Sequence, residues 1–433
     1  MTDRTKAPLK HNLNPDSFGI DSLLPEIIHF KNGITCYQIN KGSQELVKIE
    51  FLFDAGTYYQ EKKFSAFSAI QLLTEGTKSY TSQQISQMFD FYGAYIEKEI
   101  DRDFAIISIY CLNKYLEKIL PLVEEIIKSP TYPENEIDIF KEKQKSQLII
   151  NNEKVNFIAR TKFTEIIFGK NHPYGAIADL IDIGNITRND LLEFHKNYLN
   201  SSACKILLSG NITDECIMYM SKFFGSENWG GTISKELQYP VSETVDEKIN
   251  YILKENAVQS ALRIGKEMFN FKNPDYFNFQ LLNTVIGGYF GSRLMKNIRE
   301  DKGYTYGIGS AIIPLKHSGF FFISTEVGAD YTQKTLDEIY KEINNLCDNI
   351  IDNEELNLVK NFKYGEFIRN IDGAFAISEV IKPIILYNLD FDYYKNYLSS
   401  LEKATAEDLY VIANKYLKDN SLIELVVGKN KSQ

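Results

Sequence analysis

Five histidines are the first candidates for metal binding or proton transfer: His11, His29, His172, His195 and His317. Protein-bound zinc needs three or four His, Cys or carboxylate ligands, commonly with two of them one helical turn apart. The nearest two histidines here are 18 residues apart, so no His-x-x-His, His-Glu-x-x-His or His-x-x-Glu-His can be written. Each histidine therefore has an ordinary structural reading: His11 and His29 on the surface, His172 in the turn KNHPYG, His195 on a helix face and His317 in a loop. Cys36, Cys111, Cys204, Cys216 and Cys347 are scattered, odd in number and without a Cys-x-x-Cys. They read as reduced thiols of a cytoplasmic protein. No Gly-x-Ser-x-Gly elbow or phosphate-binding loop occurs. GIGSAI at 307–312 is too short and badly placed for a dinucleotide fingerprint. No isolated carboxylate pair stands out for acid–base work.

The elements that would position chemistry form a repeated series. In the first half, KIEFLFDAGT (48–57) reads as a strand and FSAFSAIQLLTEGT (64–77) as a helix closed by Gly76. SQQISQMFDFYG (82–93) carries an amphipathic stripe of Ile85, Met88, Phe89 and Tyr92. The strand FAIISIY (104–110) follows, then a helical face of Leu116, Ile119, Leu120, Val123 and Ile127. The second half repeats this order: strand 260–269, helix 275–288 closed by glycines, helix 292–303, strand 320–325 and a face of Leu336, Ile339 and Ile343. Each half ends in a helix and an apolar strand, CKILLSG (204–210) and LIELVVG (422–428). The offset is 211 residues at Gly76/Gly287 and 216 at Leu120/Leu336, which places a longer loop near Pro314 to Gly319.

The expected fold is thus α+β, two duplicated domains, each a mixed or antiparallel sheet packed with helices. The domains span residues 1–225 and 244–433, joined by a Gly-, Pro- and Ser-bearing linker at 226–243. A length of 433 residues is ample for two cores, and 28 Phe with 27 Tyr rule out a disordered chain. The net charge of −10 argues against general nucleic-acid binding. No apolar run approaches the length of a bilayer span, and MTDRTKAPLKHNLNPDSF is not a secretory leader, so a cytoplasmic location without membrane partners is expected.

On these residues the sequence resembles a family. GSRLMKNIREDKGYTYGIGS (291–310) resembles the second-half signature of the insulinase/pitrilysin-type zinc peptidases, which include the mitochondrial processing peptidase. KNHPYG (170–175) matches that family's His-Pro-Tyr-Gly turn, and FLFDAGTYYQ (51–60) its first long strand. The resemblance runs from about residue 25 to residue 428. Members that cleave carry an inverted zinc motif, His-x-x-Glu-His, just before a Gly-Thr pair. The pair here is Gly76-Thr77, so Phe67 and Gln71 stand at the ligand positions, Ile70 at the general base and Gln147 at the third ligand. Phenylalanine has no lone pair, isoleucine cannot accept a proton, and an amide is a poor zinc ligand. Phe67 and Ile70 read more simply as core residues of an amphipathic helix.

The second half keeps what the resemblance assigns to it. An Arg and a Tyr complete the active site of such enzymes, and Arg299 and Tyr306 stand at those positions, seven apart. A guanidinium and a phenol suit the stabilisation of a developing oxyanion. Gly287 and Gly288 read as helix caps, with close approach of a substrate backbone as the alternative. In bacterial two-chain members one chain keeps zinc and the other keeps the Arg–Tyr pair. The resemblance therefore implies a non-catalytic subunit of a heterodimeric zinc metallopeptidase, inactive alone. Such a subunit holds no cofactor or metal and closes a peptide chamber with a zinc-bearing homologous partner. A homodimeric peptide-binding pseudo-peptidase and a structural assembly subunit are the alternatives. GAYIEKEI (93–100) offers a sheet edge on which a peptide could add as a strand.

Overall fold

The structure is a computed structural model that describes residues 23–231, 248–418 and 421–429. Six strands form the first sheet: β1 (Glu26–His29), β2 (Thr35–Asn40), β3 (Leu46–Phe53), β4 (Tyr95–Ile100), β5 (Ala105–Leu112) and β6 (Cys204–Gly210). Their order is β1-β2-β6-β3-β5-β4, antiparallel except for the parallel β2–β6 pair. The second sheet comprises β7 (Ile249–Leu253), β8 (Gln259–Met268), β9 (Thr305–Pro314), β10 (Gly319–Gly328) and β11 (Ile423–Gly428). Its order is β7-β11-β8-β10-β9, again with one parallel pair, β11–β7. Without β1 the two orders superimpose strand for strand. The α+β duplication is therefore real.

The first half carries helices α1 (Ser65–Gln71), α2 (Ser82–Tyr92), α3 (Leu116–Lys128), α4 (Glu134–Asn151), α5 (Val155–Phe168), α6 (Leu180–Asn185), α7 (Arg188–Tyr198) and α8 (Asp214–Met220). The second carries α9 (Tyr276–Asn283), α10 (Thr332–Asp348), α11 (Asn353–Arg369), α12 (Ala374–Tyr387), α13 (Tyr393–Lys403) and α14 (Ala406–Tyr416). Two wider helical turns, Thr284–Gly288 and Met295–Asp301, complete it. The local signals explain the boundaries. Thr81 and Gln84 form a reciprocal capping box at α2, and Gly93, at φ 60°, closes its other end.

Two expectations need correction. The helix expected over 64–77 stops at Gln71. The Lys98 ammonium takes the Gln71 carbonyl at 2.5 Å, and Gly76 instead bridges to Thr81. The longer loop expected near Pro314 to Gly319 is absent. The β4–β5 and β9–β10 turns are equal, Ile100 facing Ala105 and Pro314 facing Gly319. The extra residues lengthen the strands: β9 has 10 where β4 has 6. Of the linker, residues 226–231 lie against the first half. There Trp229 is buried and its N–H donates to Ser201 Oγ at 3.1 Å. Residues 232–243 lie outside the described residues.

The halves exchange helices. Inward-facing Val47, Ile49, Phe51 and Phe53 of β3 pack on the first half's own helices. The opposite face of that sheet is covered by α12 from the second half. Reciprocally, α5 from the first half covers the second sheet, with Phe163, Ile167 and Phe168 buried against Ala261, Phe320, Leu425 and Val427. Burying a Phe or Ile side chain contributes about 1.5–3 kcal/mol, so this exchange welds the halves together. A fully buried Glu50 on β3 sits 3.0 Å from Lys48 and 2.7 Å from Lys382 of α12.

The His-Pro-Tyr-Gly turn is a second weld. The buried Tyr174 hydroxyl donates to Asp103 Oδ1 at 2.5 Å and accepts the His317 N–H at 3.2 Å. Asp103 Oδ2 accepts the Lys316 N–H at 2.8 Å. Residues 103 and 316 occupy the equivalent hairpin turns of the two sheets, so one tyrosine–carboxylate pair ties the duplicated turns to each other.

Candidate functional site

Each half presents one corner where family chemistry would sit. In the first, α1 carries Phe67, Ile70 and Gln71. Ile70 is fully buried in the first core. Phe67 is half-buried and packs in an aromatic cluster with Phe64 at 5.4 Å and Phe140 of α4 at 6.1 Å. The Gln71 amide reaches back to the Lys98 carbonyl at 3.4 Å. The Lys98 ammonium, its pKa lowered by burial, also donates to Thr74 Oγ1 at 2.7 Å. Gln147 lies exposed on α4 and bonds within its own helix, to Asn151 at 3.1 Å. Rings fill the space between α1 and α4 and an ammonium points at the end of α1. Such a set does not fit zinc, which needs lone pairs and repels a neighbouring cation. Among the described residues no group of three His, Cys, Asp or Glu could hold a metal.

The described histidines are accounted for by packing. His195 is buried and its Nε2 lies 2.7 Å from the Ile127 carbonyl. His172 stacks on Phe168, its Nδ1 accepting the Tyr174 N–H, and His317 stacks on Tyr58 at 4.5 Å. His29 is exposed, and His11 lies outside the described residues. All five cysteines are buried and unpaired, their thiols pushed up chiefly by that burial.

The corner of the second half is organised differently. Arg299 rides on the turn Met295–Asp301, and the Tyr304 N–H bonds the Ile298 carbonyl at 3.0 Å, joining that turn to the start of β9. The Arg299 guanidinium lies over the Phe290 ring, 4.7 Å from its centroid. That stacking orients the planar fork while leaving its N–H groups free. Arg299 makes no ion pair among the described residues. Tyr306 is 93% exposed, and its hydroxyl has no partner among them. Tyr304, by contrast, is stacked on Tyr331 at 4.9 Å.

A β-bulge aims Tyr306. Thr325 faces Ile308 and Val327 faces Thr305, so β9 has one residue more than β10 across this interval. The irregularity is pinned by hydroxyls: Thr325 donates to the Gly307 carbonyl at 2.9 Å, and Thr305 accepts the Gly307 N–H at 3.1 Å. Sequence reasoning missed this pair of threonines, since a bulge shows only in strand pairing. Gly287 is buried under β9; a Cβ there would meet the Ser310 nitrogen at 2.7 Å. Its small size therefore admits the chain's own strand rather than a substrate, while Gly288 is exposed.

Residues 185–362 match a family model described as the peptidase M16 inactive domain. The chain is 22% identical over 348 residues to an uncharacterized zinc protease, YmxG, of Bacillus subtilis, covering 79% of this chain and 84% of that protein. It is 21% identical to the non-peptidase homolog YmxG of Helicobacter pylori, covering 83% of each. The crystal structure of a peptidase M16 inactive domain from Pseudomonas fluorescens superimposes with a TM-score of 0.86 at 22% identity, over 94% of this chain and 99% of that one. By these likenesses the segment 185–362 matches the model of the peptidase M16 inactive domain, and the chain as a whole shares its fold with M16-type structures and is similar to relatives some of which are named non-peptidase or inactive homologues.

Proposed function

We propose that this chain is the non-catalytic subunit of a bacterial two-chain zinc metallopeptidase. It closes a peptide chamber with a homologous zinc-bearing subunit and donates Arg299 and Tyr306 to that subunit's site. The observation that carries this reading is the contrast within one molecule. The corner at α1 is packed with rings and an ammonium, while among the described residues Arg299 has no ion-pair partner and the Tyr306 hydroxyl no hydrogen-bond partner, on a built turn and bulge. A guanidinium held by stacking and a projecting phenol are donors waiting for charge, and charge develops on the oxygen of a peptide carbonyl under attack. In this reading zinc belongs to the partner and supplies the activated water there; this chain contributes only the two donors. Substrate peptides lie along an open sheet edge; β4 is the edge strand of the first sheet.

The five buried thiols suit a reducing cytoplasm. Among the described residues no helix is long and apolar enough to cross a membrane. The test is reconstitution with the zinc-bearing homologue from the same host. This chain alone hydrolyses no peptide and the mixture does. Arg299→Ala lowers turnover of the mixture by about 10²–10³-fold, the loss expected for one oxyanion donor, with complex formation unchanged. Full turnover with the Arg299→Ala chain would refute donation in trans.

A further inference from the structure

Beside the vacated metal corner the two halves enclose a cleft of about 690 Å³, on whose wall Phe67 of α1 lies. Three arginines line it: Arg102 from the β4–β5 turn, Arg160 from α5 and Arg263 from β8. The sequence holds only eight arginines against 40 lysines, so more than a third of them converge here. They come from both halves and are far apart in the chain, so only the helix exchange assembles them.

The arginines are held against rings rather than in direct ion pairs. Arg102 lies over Phe320 at 5.6 Å and Arg263 over Phe322 at 4.9 Å, two neighbouring side chains of β10. Arg160 lies over Phe157 at 5.7 Å. Polar contacts are few: Arg102 Nε donates to the Tyr174 carbonyl at 3.4 Å and Arg263 Nη2 to Asn156 Oδ1 at 3.2 Å. None of the three has an ion-pair partner among the described residues. Asp101 is the one carboxylate on the lining, and its Oδ1 already accepts the Asp103 and Phe104 N–H groups at 2.7 Å each. Glu326 is linked to Arg263 through the Asn156 amide. Burial, with Arg160 adding to it, lowers the Arg263 pKa to about 10. Glu326 acts against that shift, as Asp101 and Asp103 do at Arg102, but burial still lowers both guanidinium pKa values.

We propose that this cleft binds a carboxylate of an acidic peptide, the guanidinium forks taking the anion and the phenylalanine walls an adjoining apolar residue. Arginine is the side chain suited to planar, two-point recognition of carboxylate. The volume lies within the roughly 300–1,000 Å³ of small-ligand sites. Ile100 and Asp101, where β4 ends, line the cleft, so a chain running along that edge is led into it. The proposal shares with the subunit reading only the premise that the family binds peptides, and this chain alone suffices to test it.

The experiment is fluorescence anisotropy of the purified full chain with a labelled peptide bearing an Asp next to a Phe, against the same peptide with Asn and an amidated C-terminus. The acidic peptide binds at least about tenfold more tightly, and its affinity falls with added salt. Arg160→Ala, at an exposed position, and Arg263→Lys, which keeps the charge but not the fork, each weaken it about tenfold; Arg299→Ala does not. Equal affinity for the two peptides, or indifference to both arginine substitutions, overturns the proposal. So does a cleft that takes inorganic phosphate, with peptide binding insensitive to phosphate competition. Anisotropy is read on the purified chain alone and the subunit reading on turnover of the reconstituted pair with Arg299→Ala, so failure here and failure of the subunit reading give different results.

Discussion

The β4 edge of the first sheet and the β9 edge of the second are the same element in a duplicated fold, yet they treat their chemistry in opposite ways. β4 is regular, and its Lys98 turns onto the end of α1, where Phe67 stacks with Phe64 and Phe140 and Ile70 is sealed in the core. β9 is longer, is broken by a bulge, and holds Tyr306 out from the molecule next to the Arg299 turn. One corner has been absorbed into packing; the other has been kept out of it. The difference gives a physical criterion for function. A residue that contributes to the core cannot be changed without loss of stability. A residue 93% exposed on a deliberately shaped strand contributes almost nothing to folding, so its shaping needs another reason.

Substitutions at four places would sharpen or break this contrast. The largest effect is expected at Ile70→Ala, which opens a cavity in the first core and lowers unfolding free energy by about 2–5 kcal/mol, read by chemical denaturation. Restoring the zinc residues at 67, 70 and 71 would bury a carboxylate at position 70 and destabilise the chain rather than create a metal site; tight stoichiometric zinc in that variant would count against the packed-corner description.

Next is the opposite corner. Tyr306→Phe and Arg299→Ala change stability by less than about 0.5 kcal/mol, but lower turnover of the reconstituted complex about a hundredfold or more. A large loss of stability with no change in turnover would reverse the assignment of the two corners.

A smaller, pH-dependent effect belongs to the first half. His195 on α7 packs beside Tyr132, whose hydroxyl bonds the Ala69 carbonyl of α1, and burial lowers the His195 pKa. A base whose folded pKa lies below its unfolded value favours folding above the unfolded pKa of about 6.5. That contribution is lost as pH falls from there towards the folded pKa. Stability of the chain should therefore decline below about pH 6.5, and His195→Gln should flatten this slope. Melting curves between pH 5 and 8 decide it.

The smallest effect is at the threonine staple. Thr305→Val removes hydrogen bonds across the bulge and destabilises by about 0.5–1.5 kcal/mol, with a several-fold fall in turnover, because Tyr306 is less well aimed. Thr305→Ser keeps the hydroxyl and should restore turnover. A Val variant with full turnover would leave the bulge without a part in positioning.

Much of the architecture was legible in the residues. The matched order of apolar periodicities marked two equivalent halves, since helix and strand periods are local properties of the chain. The side-chain types at Phe67, Ile70, Gln71 and Gln147 were legible for the same reason: the chemistry of a side chain does not depend on the fold. Boundaries were less so. The end of α1 depends on Lys98, a residue 27 positions away that claims a helical carbonyl. The additional length in the second hairpin reads as loop in the sequence, because Pro314 and Gly319 look like turn residues, whereas pairing with β8 and β10 extends the strands to both of them.

By itself, then, the sequence determined which groups stand at which positions: an aromatic ring, an aliphatic chain and an amide at 67, 70 and 71, and a guanidinium and a phenol seven residues apart in the second half. Only the tertiary structure decided where groups distant in the chain meet. The crossing of α5 and α12 between sheets, the link from Tyr174 to Asp103 and Lys316, the bulge under Tyr306 and the convergence of Arg102, Arg160 and Arg263 are all long-range. Side-chain identity is set residue by residue. Proximity between distant residues is set by which apolar faces find each other, and no local pattern encodes that choice.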